Sequence, residues 1–198
     1  MTFGYHYTLL HNRLMGLCRQ LVEQCEANPE GSDCGVTALG AIVLAATCVE
    51  IATNNRIEKS LPPRDIVPPL RAWVRFTRRQ LYRRPLLIRL EEIGRILGVI
   101  VDLKQPPWRA VRQLRDVRNV LVHYEAGPLS STHPDTDLFP QRGTLEPIAK
   151  ELGTLEGATT WLEAFLNPTC ARWAYDTAHK ALHELDTGPL NLHLRFDG

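Results

Sequence analysis

Three residues near the middle of the chain, Arg118, Asn119 and His123, bring together side-chain types that phosphate-ester chemistry uses. An imidazole titrates near neutral pH and can take a proton from a hydroxyl or give one to a departing oxygen. A guanidinium grips phosphate oxygens with a fork of donors and offsets the charge that accumulates on them. The three stand in the run Leu114-Arg115-Asp116-Val117-Arg118-Asn119-Val120-Leu121-Val122-His123-Tyr124, whose apolar spacing predicts a helix. At about 100° per residue, Leu114, Val117 and Leu121 share an arc, and Arg118 falls roughly 40° from Leu114, inside it. An inward arginine calls for an acidic partner, because an unpaired buried charge is costly. Asn119 and His123, four residues apart, stack on a different face, with Arg115 extending the row backwards. A single site using both Arg118 and His123 therefore needs local unwinding near Tyr124 or a contribution from a second chain. On the residues alone, His123 is also an ordinary helix-end histidine favoured by the helix dipole.

A second concentration of chemistry is cationic. Arg71, Arg75, Arg78, Arg79, Arg83, Arg84, Arg89 and Arg95 fall within 25 residues that hold only two acids, Glu91 and Glu92. Such a stretch is a candidate phosphate-contact surface, with Arg71, Arg75, Arg78 and Arg79, together with Arg115, as candidate nucleic-acid contacts; the alternative is a solvated face that serves solubility. The whole chain carries no cationic field, since Lys and Arg total 23 against 22 for Asp and Glu. Any nucleic-acid surface must then be local.

The elements that position these groups read as helices. Leu10, Leu14, Leu17, Leu21 and Val22 predict a first helix over Tyr7–Cys25. After a break at Asn28, Pro29, Gly31 and Ser32, an Ala-rich helix runs from Val36 to Ile57, apolar around much of its circumference and so expected at the centre. Four prolines between Leu61 and Pro69 form a connector. The arginine-rich stretch follows as one helix to about Tyr82 and another from Leu86 to about Leu97. Pro106 and Pro107 open the helix that carries Arg118, stopped by Gly127 and Pro128. Residues 128–143 read as a long exposed loop. Helices are expected again over Leu145–Leu155, Thr159–Leu166 and Pro168–Leu185, the last with Ala171, Ala174, Ala178 and Leu182 spaced for packing. Leu190, Leu192, Leu194 and Phe196 alternate with polar residues, as in an edge strand or an extended arm.

With 198 residues, 44% hydrophobic and 23% charged, the chain suits one domain over 1–198 with a single core. Five cysteines, an odd number without a CxxC pair, speak against a disulfide framework and a zinc site and suit a reducing cytoplasm. No leader is expected, nor a membrane segment: the longest apolar run, Ala38 to Ala46, is short and leads on to Glu50. His6, His11, His133, His179, His183 and His193 lack ligand-like companions and read as surface residues.

Two segments together resemble the HEPN family. Arg118 to His123 is similar to its Arg-x4-His signature, in which a polar residue follows the Arg. The run from Ala38 to Asn54 is similar to the family's early helix, where an Ala-rich run leads to an acid, here Glu50, and four residues later an Asn, here Asn54. The resemblance covers roughly residues 36–125 and the last helix. It implies an all-α HEPN-like bundle, here with additional helices and a long loop near 128–143. It also implies a homodimer whose two Arg and two His residues share a cleft and cut RNA without a metal or other cofactor. Arg118, Asn119 and His123 would be catalytic, and Glu50, Asn54 and Tyr124 supporting. Glu50 is the expected partner of Arg118, with Asn54 in the same network, and both read as satisfying a buried charge before they read as catalytic groups. Tyr124 directly follows His123, whereas one toxin branch of the family carries, two residues after its His, a Tyr that a partner nucleotidyltransferase modifies; this chain departs from that pattern. The setting implied is a cytoplasmic toxin or antiviral effector with an antitoxin or other regulatory partner. The alternatives are a HEPN-like RNA- or nucleotide-binding or assembly module without catalysis, and an unrelated helical interaction protein.

Overall fold

The computed structural model describes residues 3–60, 77, 79–123, 142–158 and 160–187. They form α1 (Phe3–Ala27), α2 (Cys34–Ser60), α3 (Leu86–Leu97), α4 (Trp108–His123), α5 (Arg142–Leu152), α6 (Trp161–Phe165) and α7 (Pro168–Thr187), with 79–83 also helical. No strand occurs among the described residues, so the protein is all-α as the periodicity predicts. Most of the loop expected at 128–143 and the alternating tail at 190–196 lie outside the described residues, as does most of the first arginine-rich helix.

The Ala-rich helix is central. α2 packs against α1, α3, α4 and α7. Its buried set, Ala38, Ala41, Ile42, Ala45, Cys48, Val49, Ala52 and Ile57, spans about half its circumference, as expected of a helix covered by several neighbours. By length and composition α2 is apolar enough to cross a membrane, with mean hydropathy 2.0 over an 18-residue window. The sequence reading, which counted the uninterrupted run alone, understated this. Within the bundle that hydropathy serves the core, and two of the helix's charges are held in ion pairs: Glu50 with Arg89 and Arg56 with Asp186 of α7.

α1 covers only part of the stripe its leucines suggest, Val22 fully and Leu14 and Leu21 in part. Leu10 and Leu17 are exposed, while His11, Cys18, Val22 and Cys25 are buried against α2. Small residues govern the contact. The Cys18 thiol donates to the Ala41 carbonyl at 3.3 Å, and a Cβ on Gly40 would stand 3.0 Å from the Leu21 side chain. Bulkier side chains on this face would hold the two helices apart. α7 lies against both, with Ala171, Ala174, Ala178 and Leu182 all buried as their spacing predicts. Arg172 of α7 forks onto both oxygens of Glu26 on α1 at 2.8 and 2.6 Å.

α4 is set in place by the connector that precedes it. α3 ends at Gly98, whose φ of 69° is left-handed and favours glycine, and the Gly98 and Val99 amides both donate to the Gly94 carbonyl. The chain then doubles back over Gly94, and the Trp108 indole at the start of α4 donates to the Ile100 carbonyl at 3.1 Å. A Cβ on Gly94 would meet the Val99 carbonyl oxygen at 2.8 Å and the Val101 side chain at 2.5 Å. Gly94→Ala is therefore expected to destabilise the chain by about 1–3 kcal/mol, read as a lower midpoint in urea unfolding. An unchanged midpoint would mean that residues 99–101 do not hold this close approach.

Candidate functional site

α4 buries Trp108, Val111, Leu114, Val117 and Val120 against the bundle. Arg109 and Gln113 on its outer side both donate to Glu151 of α5, at 2.6 and 3.0 Å. The signature residues follow from this placement. Arg118 sits at the margin of the buried stripe and is half-buried, and Asn119 is exposed. The two touch, Arg118 Nη1 donating to Asn119 Oδ1 at 3.0 Å. α4 remains helical through His123, so Arg115, Asn119 and His123 keep the four-residue row. Arg118 and His123 then leave the helix axis about 140° apart. The His123 side chain lies outside the described residues, as do Tyr124, Arg71, Arg75 and Arg78.

Arg118 and Asn119 open onto a groove of about 320 Å³ between α2, the start of α3, and α4. Its floor is apolar, with Ala46, Val49, Leu86, Val111 and Leu114, and its polar lining is Thr47, Glu50, Arg89, Arg115, Arg118 and Asn119. Three guanidinium groups thus meet one carboxylate, a balance that suits an anionic ligand. Arg115 is also bound to Asp116 next to it, Nε to Oδ1 at 3.0 Å, which tempers its charge.

The partner of Glu50 is not Arg118. Arg89, expected on the phosphate-contact surface, points inward from the first turn of α3 with its side chain 7% exposed, and its Nη2 donates to Glu50 Oε1 at 2.6 Å. Its Nη1 donates to Asn54 Oδ1. Glu50 and Asn54, one helical turn apart, thus receive a single buried guanidinium between them, the core-satisfying role the sequence suggests, but for a different arginine. Geometry explains the difference: α4 turns Arg118 to the margin of its buried stripe, where the groove leaves it partly solvated and a buried counter-charge is unnecessary. Arg89 Nε is buried and has no hydrogen-bond partner among the described residues.

Of the other expected contacts, Arg79, Arg83, Arg84 and Arg95 are exposed, with Arg84 bound to Glu92. His11 corrects the surface reading of the histidines, being 6% exposed with its Nδ1 3.4 Å from the Asn55 amide. His179 is exposed and stacks on Tyr175. Among the described residues no three His, Cys, Asp or Glu side chains group as metal ligands. Thr47 and Arg89 are the polar groove residues the sequence did not single out for the site. Arg89 had a signal: it shares a helical arc with Leu86, Leu90, Ile93 and Leu97.

Comparison with protein-family models, with curated proteins and with solved structures finds no match for this chain.

Proposed function

We propose that the chain is a metal-independent endoribonuclease of the HEPN type that acts as a homodimer and works in the cytoplasm as a toxin or antiviral effector. The observation that carries the reading is the course of α4, helical without a break from Arg115 to His123, with Arg118 and Asn119 on the groove. Arg118 and His123 diverge by about 140° around that helix, which supports a composite site built from two chains; the alternative, unwinding near Tyr124, falls outside the described residues. A stripe of α2 beside the groove is suited to the contact: Val36 is exposed, and Leu39, Val43 and Ile51 are only half-covered.

In the cleft Arg118 binds the scissile phosphate through its guanidinium fork and offsets charge on the equatorial oxygens. Asn119 steadies that guanidinium from its neighbouring position. His123 of one subunit takes the proton from the ribose 2′-hydroxyl, whose oxygen attacks phosphorus, and His123 of the other protonates the departing 5′-oxygen. The products are a 2′,3′-cyclic phosphate and a 5′-hydroxyl end. RNA binding without turnover is the alternative, favoured by the engagement of Glu50 and Asn54 with Arg89, which accounts for both without catalysis.

End-group analysis separates these readings. Incubation of the purified dimer with labelled RNA in EDTA is expected to leave 2′,3′-cyclic phosphate ends, and a 2′-deoxy substitution at a mapped cleavage position is expected to block the cut there. Cleavage that ignores the 2′-deoxy substitution, or retention of intact RNA on the protein, would contradict the proposed chemistry.

A further inference from the structure

The corner between α1 and α2 brings two thiols together. Cys25 lies in the last turn of α1 and Cys34 opens α2, and their Sγ atoms are 2.6 Å apart. The contact is reciprocal: Cys25 Sγ also faces the Cys34 carbonyl oxygen at 3.5 Å, and Cys34 Sγ the Cys25 carbonyl oxygen at 3.8 Å. The connector between them holds this register through a chain of short backbone bonds, Asn28 to the Gln24 carbonyl, Gly31 to the Asn28 carbonyl and Cys34 to the Gly31 carbonyl. No comparable direct sulfur contact joins any other pair of the described cysteines, all five of which are unbridged and buried.

We infer that Cys25 and Cys34 are an oxidative modification site, closing to an intrachain disulfide when the protein meets a hydroperoxide. Cys34, 7% exposed against 1% for Cys25, is the sulfur the oxidant reaches first, and the exposed connector at 28–30 and 32–33 lets the corner open locally at low cost. The Cys34 thiolate attacks the outer peroxide oxygen; the O–O bond breaks, an alcohol (water, for hydrogen peroxide) leaves, and the sulfur becomes a sulfenic acid. The Cys25 sulfur then attacks that sulfur, the S–O bond breaks, and water leaves as the S–S bond forms. Two thiols lose two electrons and two protons in all, and the peroxide takes up both. Burial first, and the Cys34 thiol beside it second, push the Cys25 thiol up to about 12, so its step is slow at neutral pH and quickens with alkalinity. The bond would fix the α1–α2 corner covalently while leaving the groove residues of α2 untouched.

Treatment of the full-length protein with hydrogen peroxide, followed by intact-mass measurement, non-reducing peptide mapping and thiol titration in denaturant, tests the site. The expected result is loss of two hydrogens, a single linked peptide pair joining Cys25 to Cys34, and a fall from five titratable thiols to three, all reversed by dithiothreitol. The oxidised protein should melt about 5 °C higher than the reduced one, because a short loop has been closed in the unfolded chain. Cys34→Ser should lose both the link and the shift. Five thiols still titratable after treatment, a bridge between Cys18 and Cys48 or between chains, or sulfinic acid at Cys34 without a bridge would each overturn the inference. Mapping of the parent protein decides the matter even if the serine variant folds poorly.

Discussion

Arg118→Ala is expected to lower RNA cleavage by about 10²–10³-fold, the usual cost of removing one donor that stabilises charge on a reacting oxygen. The same change should leave the fold almost untouched, within about 0.5 kcal/mol, because Arg118 is half-buried at the margin of the α4 stripe and, among the described residues, its side chain bonds to the adjacent, exposed Asn119. Arg118→Lys should restore only part of the activity, since an ammonium supplies the charge without the two-pronged geometry. Single-turnover rates for the parent and both variants, beside their melting curves, check this. A variant that loses cleavage only in proportion to lost helicity would assign Arg118 to the scaffold instead.

The second large effect concerns stability. Arg89→Met removes the buried guanidinium that ties α3 to Glu50 and Asn54 and keeps much of the side chain's bulk. Truncating one partner of a fully buried pair costs roughly 3–5 kcal/mol. The Glu50 side chain is 45% exposed and recovers some hydration, which lowers the expected loss to about 2–3 kcal/mol. That corresponds to a melting temperature about 5–10 °C lower for a chain of this size. Glu50→Gln should cost less, since an amide oxygen still accepts from Arg89. Differential scanning calorimetry of the two variants decides the order, and an Arg89→Met protein as stable as its parent would remove the network from the account of the fold.

Much of the architecture was legible in the sequence because helical periodicity and prolines mark it directly. Leu86–Leu97 and the start of α4 at Trp108 stand where Pro85, Pro106 and Pro107 place them, and the breadth of the apolar surface on α2 announced its central position. The stripe expected on α1 holds at Val22, and in part at Leu14 and Leu21, but close approach to an Ala-rich partner also selects small side chains, so Cys18 and Cys25 go inward while Leu10 and Leu17 stay outside. Part of the groove lining was legible in the sequence, and its pairing was not. Arg118, Asn119, Glu50 and Arg115 do line one groove, but angular arithmetic on a single helix cannot tell a buried centre from a half-buried margin, and so it assigned Glu50 to Arg118. The same arithmetic applied to α3 marks Arg89 as the inward arginine. The Cys25–Cys34 contact was hidden for another reason: a spacing of nine residues across a turn carries no periodic signal, and only the course of the connector brings the sulfurs together.

Under the proposed function His123 belongs to a metal-independent ribonuclease site. The deciding measurement incubates a labelled mixed RNA pool in EDTA with the purified parent chain and with His123→Ala, helicity and dimer mass being measured on the same samples. Cleavage by the parent and a loss of about 10²–10⁴-fold in the variant, with folding and dimerisation unchanged, are expected. Equal cleavage by the two proteins, or none by the intact dimer, would contradict the proposal.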